Sequence, residues 1–131
     1  QKKLAKMVKA TVSGGTDPKD IKKMLEKMGY ITKEHKEKSP GKTLKALNKT
    51  VKKGGTALVD YLAGGNIKTD GHYSVLEKAT KKKVSLWDPS PGKKTTIPTK
   101  KFIKNWKDTT TGGKIFTKWG IEIKKNERRY S

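Results

Sequence analysis

Apolar residues along this chain recur first at helical and then at extended spacing. Leu4, Met7, Val8 and Thr11 share one face of a helix predicted over residues 2–12, with Lys2, Lys3, Lys6 and Lys9 around the rest. Gly14-Gly15 ends that segment. Thr16-Asp17-Pro18 joins a capping residue to a proline at the first helical position, and Ile21, Met24, Leu25 and Met28 then repeat at i, i+3, i+4, i+7 until Gly29. Residues 30–36 alternate loosely, as a short strand does. Ser39-Pro40 opens a third helix striped by Leu44, Leu47 and Val51 and closed by Gly54-Gly55.

After Gly55 the period becomes extended. Residues 56–63 (TALVDYLA) form a buried-type strand, and Gly64-Gly65-Asn66 a loop. Residues 73–79 and 84–87 read as two strands joined by a turn around 80–83, and Pro89-Ser90-Pro91-Gly92 is a loop. Pro98-Thr99 starts a short helix carrying Phe102, Ile103 and Trp106, and residues 115–119 and 121–123 pattern as a final hairpin. Helices followed by strands predict an α+β domain over residues 1–123, its N-terminal helices packed on an antiparallel sheet, with 124–131 as a basic tail.

Composition changes this picture in one respect. The 131 residues include 33 Lys+Arg against 12 Asp+Glu, a net charge of +21, and only Arg128 and Arg129 are arginines. Hydrophobic content is 31 %, below the usual ~45–50 %, yet the regular spacing with three Trp, four Tyr and two Phe supports a small core. No run approaches the ~18 apolar residues of a membrane span. The charge points to a polyanionic partner: nucleic acid, an acidic cell-wall polymer or an acidic protein. The shortage of arginine points to backbone contact without strong base preference. Candidate contacts are Lys52, Lys53, Lys81, Lys82, Lys83, Lys93, Lys94, Lys100 and Lys101, which fall mostly at turns and element ends. Solvated turns alone would explain the same placement.

Candidate chemistry is sparse. With no cysteine there is no disulfide, thiolate ligand or thiol nucleophile in these residues. Two distant histidines and scattered carboxylates give no ligand cluster, so neither a metal nor a cofactor is expected. Gly92-Lys93-Lys94-Thr95 and Ser39-Pro40-Gly41-Lys42-Thr43 lack the spacing of a phosphate-binding loop. His35, within KEHKEK, reads as exposed and inert. His72 opens one strand and Asp88 ends the next, so pairing of those strands as a hairpin brings the two to one edge of the sheet. A carboxylate on the imidazole Nδ1–H would fix the tautomer and support an imidazolium, the base–orienter half of a catalytic triad. A structural His–Asp bond, or an Asp-Pro turn cap, would place the same residues there.

Gly71-His72-Tyr73-Ser74-Val75-Leu76, then Val84-Ser85-Leu86-Trp87-Asp88-Pro89, then Ile97, Phe102 and Trp106 resemble the C-terminal half of C39-like cysteine peptidases. These are papain-like domains that clip leader peptides at a double-glycine site. The resemblance covers roughly residues 2–108 and implies His72 and Asp88 as catalytic histidine and aspartate. It also implies a cysteine at the start of the first helix, a place that falls at or before Gln1. Gln1 does not match the family's oxyanion glutamine, and Ser13 follows the helix instead of starting it.

The resulting expectation is a degenerate C39-like domain acting as a non-catalytic binding or structural module, its basic surface facing a polyanion. Two alternatives stand beside it: an active cysteine peptidase whose nucleophile lies upstream of Gln1, and a DNA-coating structural protein. A peptide could occupy the His72/Asp88 cleft, and self-association is left open. The start at Gln1 rather than Met suggests trimming, and with the family it favours an extracellular or cell-surface location.

Overall fold

The computed structural model describes residues 17–68, 71–88 and 92–126; the helix expected over 2–12 and most of the 89–92 loop lie outside the described residues. Helix α1 spans Pro18–Lys27, with proline at its first position and acidic Asp20 in its first turn. Both favour a helix start, one by preset backbone angles and the other by charge on the dipole. Its Ile21 and Leu25 are fully buried, and Gly29 (φ 94°) supplies the left-handed residue that turns the chain into β1, Tyr30–His35. Helix α2, Pro40–Lys52, buries Leu44 and Leu47 and is followed by Gly54 at φ 91°. Each such leucine contributes about 1.5–3 kcal/mol when fully buried.

Strands β2 (Thr56–Leu62), β3 (Gly71–Ala79) and β4 (Lys83–Asp88) follow. Then come β5 (Lys93–Pro98), the short helix α3 (Thr99–Lys104), β6 (Lys107–Thr109), β7 (Ile115–Thr117) and β8 (Gly120–Lys125). Six strands form one antiparallel sheet in the order β1-β8-β2-β3-β4-β5, and β6 pairs with β7 as a separate ribbon. Two cores sandwich the sheet. On one face Ile21 and Leu25 of α1 and Phe116 of β7 pack on Leu58, Val75, Trp119, Ile121 and Ile123. On the other, Leu44 and Leu47 of α2 with Phe102 of α3 and Trp106 pack on Ala57, Val59, Tyr61, Leu76, Val84 and Leu86. This is the expected α+β arrangement of helices on an antiparallel sheet.

Several expectations need correction. Residues 115–119 and 121–123 do not form a hairpin: β7 pairs with β6, and β8 inserts between β1 and β2. Lys118, at φ 54°, breaks the run, and its N–H bonds to the Trp106 carbonyl at 2.8 Å. Gly120 then lets the sheet approach α2, since a Cβ there would stand 2.7 Å from a Leu47 methyl. Strand β8 also carries Lys124 and Lys125 into register with Ile31 and Tyr30, so the sheet continues two residues into the expected tail. Strand β5 was not foreseen; one side of this edge strand is exposed, which weakens its apolar alternation. His35 is not exposed: its side chain is 12 % accessible and lies 2.7 Å from Glu122.

Candidate functional site

The hairpin of β3 and β4 pairs Val75 with Trp87 and Leu76 with Leu86. Continued by one step, that register sets Ser74 opposite Asp88 and leaves His72 on the diagonal, on the same face. The sheet itself therefore brings the two together. His72 Nε2 lies 2.5 Å from Asp88 Oδ2, with the side chains 28 % and 22 % exposed. The contact is close, but its geometry falls short of an aligned hydrogen bond. The nitrogen facing the carboxylate is Nε2 and not the expected Nδ1. A base held through Nε2 is left with Nδ1 as its working nitrogen.

Around the pair is an open cleft of about 380 Å³ lined by Tyr61, Ala63, Gly71, His72, Ser74, Leu86, Asp88, Thr95 and Ile97. Tyr61, opposite His72 in register, sets its ring edge-on to the imidazole at 6.4 Å and packs on Phe102 at 5.5 Å. Burial, and then the negative charge of Asp88, push the Tyr61 phenol above its ordinary value, so it stays neutral and can donate. The floor is thus apolar and aromatic, with an imidazole and a carboxylate at its mouth. A base and a carboxylate stand beside this apolar floor, and the chain has no cysteine to set a thiol with them.

Behind His72, on the α1 face, Asp60 is 1 % exposed, and its Oδ1 accepts the His72 backbone N–H at 3.2 Å. Its carboxyl meets that of Asp108 of β6. Burial first, then the bond and charge of Asp108, push Asp60 up to about 9 against the pull of the His72 N–H. Sequence reasoning passed over both residues. The one available signal was a lone acid inside the apolar run TALVDYLA.

The candidate lysines divide into three places. Thr99 N bonds to the Lys82 carbonyl at 2.9 Å and Lys83 pairs with Pro98, so Lys81, Lys82 and Lys83 converge with Lys100 and Lys101 of α3 at one end of the sheet. Lys93 and Lys94 begin β5 at its other end, with Lys93 opposite Asp88 beside the cleft. Lys52 and Lys53 stand apart at the end of α2, where Lys53 joins Ile31, Lys124 and Lys125 around a depression of about 630 Å³. All nine are exposed. Lys22 and Lys94 lie within ion-pair distance of the described carboxylates Glu26 and Glu77, at 3.0 and 3.5 Å. Many of the acids are engaged elsewhere: Asp60 with Asp108, Asp88 with His72, Glu122 with His35, Glu34 with the Trp119 indole and Asp17 with Thr111.

Among the described residues no group of three or more His, Cys, Asp or Glu is placed to hold a metal ion, and no helix is long and apolar enough to cross a membrane. The sequence model of the Peptidase C39 family matches residues 1–111. No curated protein matches the chain.

Proposed function

Because this chain belongs to the Peptidase C39 family and its 131 residues include no cysteine, we propose that it works as a non-catalytic binding module whose basic surface recruits a polyanion. One observation carries the reading. Among the described residues many of the carboxylates are engaged by histidines, hydroxyls, an indole or one another, and Glu26 and Glu77 pair with lysines, so the chain's 33 Lys+Arg far exceed the acids that could offset them. Such a surface attracts a phosphate or carboxylate polymer by counterion release, with little demand on sequence. Lys81–Lys83 and Lys100–Lys101, brought to one end of the sheet, are its candidate contacts. His72 and Asp88 keep the base–orienter half of a peptidase site, but an acyl-enzyme needs a nucleophile these residues lack.

The test compares wild type with His72→Gln for binding a labelled duplex DNA and an acidic wall polymer such as poly(glycerol phosphate). Equal binding by both proteins, with a double-glycine peptide left uncut, is the expected result. Binding that tolerates salt and disappears with His72→Gln would instead make the cleft a peptide-docking site.

The close His72–Asp88 contact favours a second reading, an active cysteine peptidase whose thiol is encoded upstream of Gln1. Nδ1 would then take the thiol proton and Asp88 would support the imidazolium. A chain extended upstream in its gene should, on this reading, cleave the double-glycine peptide and be inactivated by iodoacetamide.

A further inference from the structure

The carboxyl pair behind His72 has no access to the cleft, yet it grips the segment that presents the imidazole. Asp60 and Tyr73 are register partners on the reverse face of the sheet, and Asp60 Oδ1 holds the His72 N–H. Asp108, fixed by accepting Thr109 N–H at 2.7 Å, presses against the neighbouring residue: a Cβ on Gly71 would come within 2.2 Å of both its oxygens. The two carboxyls thus bracket Gly71-His72 from β2 and from β6.

We propose that Asp60 and Asp108 are positioning residues, a carboxyl pair that shares one proton and thereby fixes where the His72 ring stands beside Asp88. Two carboxylates cannot hydrogen-bond to each other without that proton. The side chain that faces the pair from β3 is a phenol and brings no positive charge. Tyr73 of β3 is itself pushed up by burial and then by the charges of Asp60, Asp108, Asp17 and Asp20. In a chain with 33 basic residues, this pocket is neutralised by a proton and not by lysine. The inference shares with the proposed function only the choice of His72 as the residue at the centre of the site.

The predicted consequence is a pH-linked release. Asp60 in the fold keeps its proton up to about 9, whereas the unfolded chain loses it near the ordinary carboxylate value of 3.8. The contribution is complete below that lower value and is lost as pH rises through the upper one. Asp60→Asn mimics the protonated acid, since its amide NH₂ can donate to Asp108 while its oxygen still accepts the His72 N–H.

The experiment follows the ring resonances of His72 and His35 by NMR from pH 6 to 10. His35, tied to Glu122 on another part of the sheet, is the internal control. The expected result is a step in the His72 signals with a midpoint near 9 in the wild type, absent from His35 and abolished in Asp60→Asn. If that variant fails to fold, Asp108→Asn should abolish the step in the same way. No step in the wild type, a step that survives in the variants, or equal movement of both histidines would overturn the proposal. Because the readout is the ring itself, it fails independently of any binding assay.

Discussion

The hydroxyl of Thr50 donates to Glu122 Oε1 across the interface between α2 and β8, while His35 Nε2 approaches the other oxygen to 2.7 Å. One side-chain carboxylate thereby joins the helix, the last strand and the first strand. Burial works to raise the Glu122 value, but the bonds from Thr50 and His35 outweigh it and hold the carboxyl below its ordinary 4.5. A depressed carboxylate stabilises the fold above its unfolded value, and the contribution is lost as pH falls through the folded one. Thr50→Val keeps the shape and removes the donor, so it should cost about 1.5–3 kcal/mol at pH 7, the worth of a hydrogen bond to a charged group. Urea unfolding at pH 7 and at successively lower pH checks this: the deficit should shrink in acid, as Glu122 takes up its proton.

Trp106 is 1 % exposed, packs at a tilt on Phe102 at 5.0 Å and donates its indole N–H to the Trp119 carbonyl at 2.8 Å. Trp106→Phe leaves that buried carbonyl without its donor, for a loss of about 1–3 kcal/mol. Trp106→Ala adds a cavity and should reach about 3–5 kcal/mol. Urea midpoints of both variants, measured beside wild type, should fall in that order.

Gly71 is where a single methyl should matter most near the site. Its Cβ would collide with the Asp108 carboxyl at 2.2 Å, and Asp108 is held between Thr109 and Asp60. Gly71→Ala should therefore lower the melting temperature and move the His72 ring resonances while leaving those of His35 in place.

Much of this was legible in the sequence, for definable reasons. Ile21, Leu25, Leu44 and Leu47 repeat at helical spacing, and proline and glycine bound both helices, so α1 and α2 could be placed without tertiary knowledge. His72 and Asp88 could be paired because hairpin geometry is local: two strands joined by a short turn fix which ends meet. The position of β8 could not be read, because Ile121 and Ile123 alternate identically in a hairpin and in a strand inserted between β1 and β2. His35 looked inert because its neighbours in sequence are charged, while its partner Glu122 lies 87 positions away. Asp60 was hidden for a similar reason, since Asp108 belongs to a three-residue strand too short to show a period.

The patch at the β3–β4 turn yields a prediction about charge. Replacing Lys81, Lys82, Lys83, Lys100 and Lys101 by glutamine changes exposed positions only, so stability should stay within about 0.5 kcal/mol of wild type. Polyanion affinity should fall, and the salt dependence should flatten by about one unit of slope for each phosphate contact removed. Paired replacement of Lys19 and Lys23 on α1, also exposed and apart from the patch, should change the slope less.

The most direct test of a charge-led, non-catalytic module is the affinity of the 131-residue chain for duplex DNA and for poly(glycerol phosphate) as a function of salt. The measurement is fluorescence anisotropy at 50, 100 and 200 mM salt. The account predicts that at least one polymer binds, with log K falling linearly in log salt and a loss of about 10³–10⁵ over that range if ~6–10 contacts form. Failure of both polymers to bind at 50 mM, or an affinity that does not change with salt, would contradict it.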